Sequence, residues 1–190
     1  MILATLFCSW GIAQAQQLPF DRTGTLRTQA NLAGGYLFAQ KEYTAYISAD
    51  LNYYVSPRVS VTGEGWYSFT TSGEETGLQK NHSLFGGLSY HILRNEHWDP
   101  YVGFSPGAAF VSSGYDDQGT IRETNITAAP LISITAGCNW YVGSIFHFYF
   151  KLRFVSGQMT GEVPAPVRLE ELKITGGLGW NINCRRKRKL

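Results

Sequence analysis

The chain has 190 residues, of which 14% are aromatic and only 16% are charged, with 21 glycines and a formal net charge of +2. Soluble domains carry roughly 25% charged residues, so this composition is unusual for a soluble domain. The small net charge does not favour nucleic-acid binding. No apolar run reaches the roughly 18 residues of a transmembrane helix, so apolar and polar residues must alternate at short range.

Residues 1–15 have the features of a secretory signal peptide. Met1 to Ile12 are apolar, and Ala13 and Ala15 form the small-x-small pattern that precedes cleavage. We therefore predict cleavage after Ala15. The positively charged start of a signal peptide is missing, which leaves two alternatives, a start codon placed too late or an ordinary apolar strand.

Alternation with a period of two runs through eight segments of the remaining chain and predicts antiparallel β-strands. The second is the clearest, because apolar residues from Tyr43 to Val55 alternate with the inward set from Thr44 to Tyr54. The fifth is the weakest, because Gly, Ala and Pro106 occupy both faces, so ten strands remain an alternative. The predicted segments are 26–38, 43–55, 59–70, 83–92, 101–111, 132–140, 146–154 and 171–182.

Segment length and loop length favour a membrane barrel over a soluble sandwich. The segments have about 11–14 residues, whereas strands of soluble proteins average roughly 5–6. Connections after the second, fourth and sixth segments are short, and long polar stretches follow the third (72–81), fifth (112–125) and seventh (156–167). Aromatic residues near segment ends fit interfacial girdles; they are Tyr36, Phe38, Tyr53, Tyr67, Phe69, Tyr90, Trp140 and Trp180.

These features predict an all-β fold, an eight-stranded antiparallel up-and-down transmembrane β-barrel over residues 24–183. Short periplasmic turns and long external loops would place both termini in the periplasm. A soluble, secreted lipid-binding barrel of the lipocalin kind shows the same alternation, but its aromatic face lines a cavity. That alternative stays open at this point.

The inward positions carry charges of both signs. The two signs are equal in number: four cations, Arg27, Lys151, Arg153 and Lys173, and four carboxylates, Glu42, Asp50, Glu64 and Glu171. Balanced charge predicts ion pairs that plug the narrow interior of an eight-stranded barrel, not an ion-selective channel. The predicted lumen network is Arg27, Asp50, Glu64, Lys151, Arg153 and Lys173. For Glu42 and Glu171 the alternative is a strand end in solvent.

Nothing in the sequence indicates an active site or a bound cofactor. His91 and His147 are predicted to face inward, but no serine–histidine pattern with a nearby acid and no Gly-x-Ser-x-Gly turn is present. Cys8, Cys138 and Cys184 form no CxxC pair, so neither a metal nor a cofactor is expected. A lipid-modifying enzyme is a less favoured alternative.

The eighth segment carries a specific resemblance. Its sequence from Thr175 to Ile182 matches the polar-x-Gly-x-x-apolar-x-apolar assembly signal of outer-membrane proteins at Thr175, Gly177, Trp180 and Ile182. Together with Pro100–Phe104, it resembles the OmpA/OmpX-type outer-membrane β-barrel domain family of Gram-negative bacteria. The resemblance covers residues 24–183, mostly as pattern.

That resemblance implies an integral outer-membrane protein in contact with lipid, inserted by the barrel-assembly machinery. It also implies a structural, adhesive or small-pore role, with the long loops as the place for an extracellular ligand. The chain departs from the family after Asn183, where a basic tail at 184–190 replaces a terminal aromatic residue. Such a tail would contact anionic lipid headgroups or remain disordered.

Overall fold

A computed structural model describes residues 21–69, 78–93, 95–117, 120–159 and 167–184. The predicted signal peptide at 1–15 and residues 185–190 of the basic tail lie outside this part of the chain. The strands are β1 (Thr25–Leu37), β2 (Glu42–Tyr54), β3 (Val59–Ser68), β4 (Leu78–His91), β5 (Trp98–Asp117), β6 (Thr120–Glu123), β7 (Thr127–Val142), β8 (Phe146–Met159), β9 (Val167–Arg168) and β10 (Glu171–Asn183). Within the described ranges, no helix is long and apolar enough to cross a membrane.

Eight of these strands form a closed antiparallel ring in the order β1-β2-β3-β4-β5-β7-β8-β10. The ring closes where β10 pairs with β1 from Thr25↔Asn183 to Leu37↔Glu171, while its other edge pairs with β8. The short strands β6 and β9 only extend β5 and β8 at one end. The predicted eight-stranded up-and-down barrel is confirmed, and the ten-stranded alternative is wrong. Closure leaves no unpaired sheet edge in the ring.

The weakest predicted segment is part of the longest strand, β5. The prediction of a loop over 112–125 is wrong, because Gly114–Asp117 pairs with Thr120–Glu123 in a hairpin beyond the ring. Ser, Gly and Asp favour turns locally, but here the neighbouring chain supplies backbone partners. Pro106, which has no N–H to donate, lies between the β4–β5 pairs Leu88↔Phe104 and Phe85↔Gly107.

In the alternating strands the apolar side chains point outward and the polar ones inward, as in a membrane barrel. Leu32 and Ile134 point outward with 72% and 63% of their surface exposed, whereas Asp50 and Lys151 point inward and are buried. The lipocalin-like alternative is wrong, because it requires the apolar face inside and the charged face in water. An outward apolar surface of this extent needs an apolar surrounding.

The two ends of the barrel differ, and we name them by what they carry. The termini end holds the start of β1, the end of β10 and the short connections 55–58, 92–97 and 143–145. The loop end holds the connection 38–41, the β5–β6 hairpin and the strand ends on either side of 70–77 and 160–166. Inside the loop end lies an apolar layer, formed by Leu37, Leu78, Val111, Leu131, Val155, Met159 and Leu169. The interior is therefore mainly polar, as the inward charges predict, but it carries an apolar layer near the loop end that the alternation did not predict.

Aromatic pairs mark both rims of the outward surface. At the termini end, Trp98 of β5 and Trp140 of β7 stack with ring centroids 5.6 Å apart and an interplanar angle of 3°. Towards the loop end, Phe38 packs edge-on against Tyr36 at 5.4 Å and lies 6.2 Å from Phe154. Rings at these heights fit a membrane interface, where one side of the ring is apolar and the other is wet.

Candidate functional site

The polar part of the lumen is the candidate site, and its middle is held by what we call the Glu64 cluster: Asp50, Glu64, Trp66, Lys151 and Arg153. The Nζ of Lys151 donates to Asp50 Oδ2 at 2.7 Å and to Glu64 Oε2 at 3.2 Å. Arg153 Nη2 donates to Glu64 Oε1 at 2.5 Å. Two cations thus share two carboxylates, all four buried, so each charge is paired as burial requires.

Trp66 organises the cations of this region. Its ring centroid lies 4.8 Å from Lys173 Nζ, 5.5 Å from Lys151 Nζ and 5.9 Å from Arg153 Cζ. Its indole N–H donates to Glu64 Oε2 at 3.2 Å. The ring face attracts cations and the N–H satisfies a carboxylate, so one side chain stabilises both signs of charge.

Gln29 connects the Glu64 cluster to the termini end. With its amide nitrogen facing Asp50, it donates to Asp50 Oδ2 at 2.9 Å and its oxygen accepts from His147 Nε2 at 2.8 Å. Gly179, on the adjacent strand, leaves room for this contact. A Cβ at Gly179 would lie 2.4 Å from Cε1 of His147, so only glycine fits there.

Nearer the termini end lies the Asp99 cluster: Arg22, Arg27, Tyr54, His91, Asp99, Asn139 and Tyr141. Asp99 Oδ2 accepts from Tyr54 Oη at 2.6 Å, from Asn139 Nδ2 at 3.1 Å and from Tyr141 Oη at 3.2 Å. Its Oδ1 lies 2.8 Å from His91 Nδ1. The guanidinium of Arg27 comes within 3.7 Å of Oδ2. A fully buried carboxylate is thus surrounded by donors.

Ser60 completes a chain that has the spacing of a hydrolase triad. Ser60 Oγ lies 2.9 Å from His91 Nε2, and His91 Nδ1 lies 2.8 Å from Asp99 Oδ1. All three side chains have no exposed surface. A nucleophile that no acyl group can reach does not react, so in this structure the chain fixes the orientation of the His91 ring.

The third group, the Glu171 cluster, consists of Tyr46, Asn81, Glu171 and Lys173. It adjoins the apolar layer, because Glu171 pairs across the strands with Leu37 and Val155. Glu171 Oε1 accepts from Tyr46 Oη at 2.7 Å, and its Oε2 lies 3.4 Å from Lys173 Nζ. Lys173 also lies over the Tyr46 ring, 4.0 Å from its centroid. The side-chain amide of Asn81 donates to Tyr46 Oη and to Glu171 Oε2. Glu171 is buried, so the alternative of a strand end in solvent is wrong for this residue.

The six residues of the predicted lumen network are all buried, but they do not form one network. Four of them meet in the Glu64 cluster, whereas Arg27 belongs to the Asp99 cluster and Lys173 to the Glu171 cluster. Glu42 is only half-buried. Among the described residues the buried charges are five cations and four carboxylates, Arg22, Arg27, Lys151, Arg153 and Lys173 with Asp50, Glu64, Asp99 and Glu171. Their role as a plug stays a prediction.

Sequence reasoning missed Asp99 and Arg22. The predicted segments leave Asp99 in the short connection between residues 92 and 101, but it is the second residue of β5 and shares the inward face with Tyr101. The alternation of Trp98, Pro100 and Val102 outward would have indicated this, had the segment been extended by three residues. Arg22 precedes β1, and no periodic pattern marks it.

The four positions of the predicted assembly signal lie on β10. Thr175 points inward and donates to Asn31, whereas Trp180 and Ile182 point outward and are exposed. A Cβ at Gly177 would lie 3.5 Å from the hydroxyl of Tyr149, which is an ordinary contact distance. The placement of these four residues does not test their assembly role, which stays a prediction.

The fold has counterparts among solved structures. Neisserial surface protein A superposes with a TM-score of 0.60 and 12% identity over 84% of this chain and 96% of that one. OprG of Pseudomonas aeruginosa gives 0.57 and 9%, over 88% and 100% of the two chains. Ail of Yersinia pestis, the attachment invasion locus protein, gives 0.56 and 12%, over 84% and 99%.

No protein-family model and no curated protein matches this chain. The structural likeness, at these low identities, establishes the fold alone. It confirms that the chain has the fold of small eight-stranded outer-membrane barrels, as the resemblance to the OmpA/OmpX-type family implied.

Proposed function

We propose that this protein is a non-enzymatic integral protein of the outer membrane of a Gram-negative bacterium, with both termini in the periplasm and no open channel. The observation that carries the proposal is the combination of an outward apolar belt with an inward face on which each of the four buried carboxylates forms an ion pair with a lysine or arginine. The belt suits lipid, and paired charges fill a lumen that eight strands leave narrow.

Fractionation and a heat-modifiability gel test the membrane part of the proposal. The protein is expected in the outer-membrane fraction, and the folded barrel in detergent should migrate differently before and after boiling. Recovery of a soluble, heat-insensitive protein from the periplasm would overturn it. Insertion is expected to require the barrel-assembly machinery, with Thr175, Gly177, Trp180 and Ile182 as its recognition signal.

Planar-bilayer recording tests the closed lumen. Samples whose heat-modifiability shows a folded barrel should give no steady conductance, because the Glu64 cluster and the apolar layer both block the path. A steady conductance from the same folded samples would contradict a plugged interior. Checking folding first separates a closed barrel from one that failed to insert.

We further infer that the loop end provides a binding surface for a partner that is neutral or positively charged. The chain over 69–77 and 160–166 contains Glu74, Glu75 and Glu162 and no lysine or arginine. Ail has been crystallised with the heparin analogue sucrose octasulfate, which is a polyanion. Acidic loops repel polyanions, so a different kind of partner is expected here.

Heparin affinity at physiological salt tests this inference. A variant lacking residues 185–190 should flow through the column, because the long stretches 69–77 and 160–166 carry three glutamates and no lysine or arginine. The full chain serves as the control, since its basic run Arg185–Lys189 is expected to retain it on heparin. Retention of the tail-deleted variant would contradict the inferred loop preference.

A further inference from the structure

Arg22 occupies an unusual position for a residue outside the strands. It precedes β1, yet only 2% of its side chain is exposed. Its Cζ lies 4.3 Å from the centre of the Tyr141 ring, and its Nη1 lies 3.9 Å from Asp99 Oδ1. Its Nη2 also donates to the backbone carbonyl of Asn95. An aromatic face, a carboxylate and a carbonyl are the three kinds of group that recognise a planar guanidinium.

The receiving groups are held in place without Arg22. Asp99 accepts from Tyr54, Tyr141 and Asn139 on one oxygen and faces His91 on the other. Tyr141 Oη is also 2.9 Å from Tyr54 Oη, which sets the position of its ring. The acceptor side is therefore built by the barrel strands, while the guanidinium arrives from the segment before them.

A cavity surrounds this contact and opens at the termini end. Its volume is about 290 Å³, and its lining includes Asp21, Arg22, Glu96, His97, Tyr141 and Asn181. Glu96 in the lining and Asp99 behind Arg22 stay with the barrel when residues 21–24 leave, and these two carboxylates favour a cationic occupant. The space exceeds what one guanidinium fills, so a longer ligand bearing that group fits.

Short contacts hold the arginine-bearing segment to the barrel. Gly24 N donates to Tyr54 O at 2.8 Å, Cys184 N donates to Gly24 O at 2.9 Å, and Thr25 N donates to Arg22 O at 2.9 Å. Gly24 has a φ of 79°, a conformation that glycine adopts without strain. This turn directs the chain of residues 21–24 back across the barrel end, towards Tyr141.

We propose that the termini end of the barrel is a binding site for a guanidinium group, filled in this chain by Arg22 and open to an arginine-containing peptide when residues 21–24 are displaced. The site would make this end a docking point for a basic segment of a partner. It goes beyond the proposed outer-membrane role and does not depend on it.

Chemical rescue of an Arg22→Ala variant tests the proposal, using the full chain refolded in detergent. The probe is arginine amide, and the readout is the midpoint temperature of the heat-modifiability transition. At about ten times its dissociation constant, the probe should raise the midpoint of the variant by roughly 3–6 °C. Lysine amide at equal concentration should give a clearly smaller shift, because an ammonium lacks the planar fork.

Two controls make the result specific. Wild-type protein should respond little, since Arg22 already fills the site, and the double variant Arg22→Ala with Asp99→Asn should lose the arginine-specific shift. The proposal is overturned by equal shifts with both amides, by no shift, or by an undiminished shift in the double variant. If Arg22→Ala does not refold alone, refolding in arginine amide but not in lysine amide is expected to restore the heat-modifiable form; equal recovery, or no recovery, with both amides would overturn the proposal.

Discussion

Lys151 and Asp50 stand 101 positions apart in the sequence, and the ammonium of the first donates to the carboxylate of the second at 2.7 Å. The two residues lie on β8 and β2, which are not neighbours in the ring, so the contact crosses the lumen. Lys151 also bonds Glu64, and this makes it the cation that two carboxylates share.

Replacing Lys151 by methionine should destabilise the barrel by about 3–5 kcal/mol, because two buried carboxylates would lose their common partner. The measurement is urea unfolding of the protein in lipid vesicles. The double variant Lys151→Met with Asp50→Asn should recover part of the loss, because it removes one of the stranded charges. Equal stability of Lys151→Met and wild type would show that the pair contributes nothing.

If lipid surrounds the exposed apolar residues of the outward belt, the stability cost of a charge there should depend on its depth in the membrane. Ile134→Arg, near the middle of β7, should cost about 2–4 kcal/mol in vesicles if lipid surrounds that position. Ile145→Arg is the matched control: this residue is also exposed, but it lies in the turn 143–145, where a cost of about 0–1 kcal/mol is expected. Similar costs at both sites would contradict a membrane location for the belt.

Gly86 and Gly87 are adjacent on β4, but only at Gly87 would a side chain clash with its surroundings. A Cβ at Gly87 would lie 2.2 Å from the carbonyl oxygen of Phe104, whereas a Cβ at Gly86 would meet nothing within 4 Å. Gly87→Ala should therefore destabilise the barrel by about 1–3 kcal/mol, since the obstructing atom belongs to the backbone. Gly86→Ala should be neutral or stabilise it by about 0.4–1 kcal/mol. Unfolding of both variants under the same conditions checks the difference, and a reversed order would refute it.

The Ser60–His91–Asp99 chain is expected to be structural. Ser60→Ala should cost about 1–3 kcal/mol, because the ring nitrogen of His91 that faces Ser60 would lose its buried partner. A fluorophosphonate probe should not label the folded wild-type protein, since Ser60 is fully buried. Labelling that disappears in Ser60→Ala would instead identify a reactive serine and revive the enzyme alternative.

The sequence alone determined the all-β fold class and the face on which residues of the clearly alternating segments lie, and it favoured eight ring strands over ten. It could do so because the side-chain period of a strand is two, so Asp50 and Ile47 must point to opposite sides whatever else the chain does. The length of the segments and the aromatic residues near their ends favoured a membrane barrel, but only the structure showed that the apolar face points outward. The placement of Arg27, Glu64 and Lys151 on the polar face needed no tertiary information.

Only the tertiary structure decided which inward residues meet. Partners across the lumen depend on how far each strand is staggered in the closed ring, and alternation carries no information about that stagger. Hence Arg27 pairs with Asp99 and not with Asp50, and the apolar layer collects at one end. Arg22 shows the same limit most clearly, because its position depends on a turn at Gly24 and on an acceptor site that four strands, β2, β4, β5 and β7, assemble.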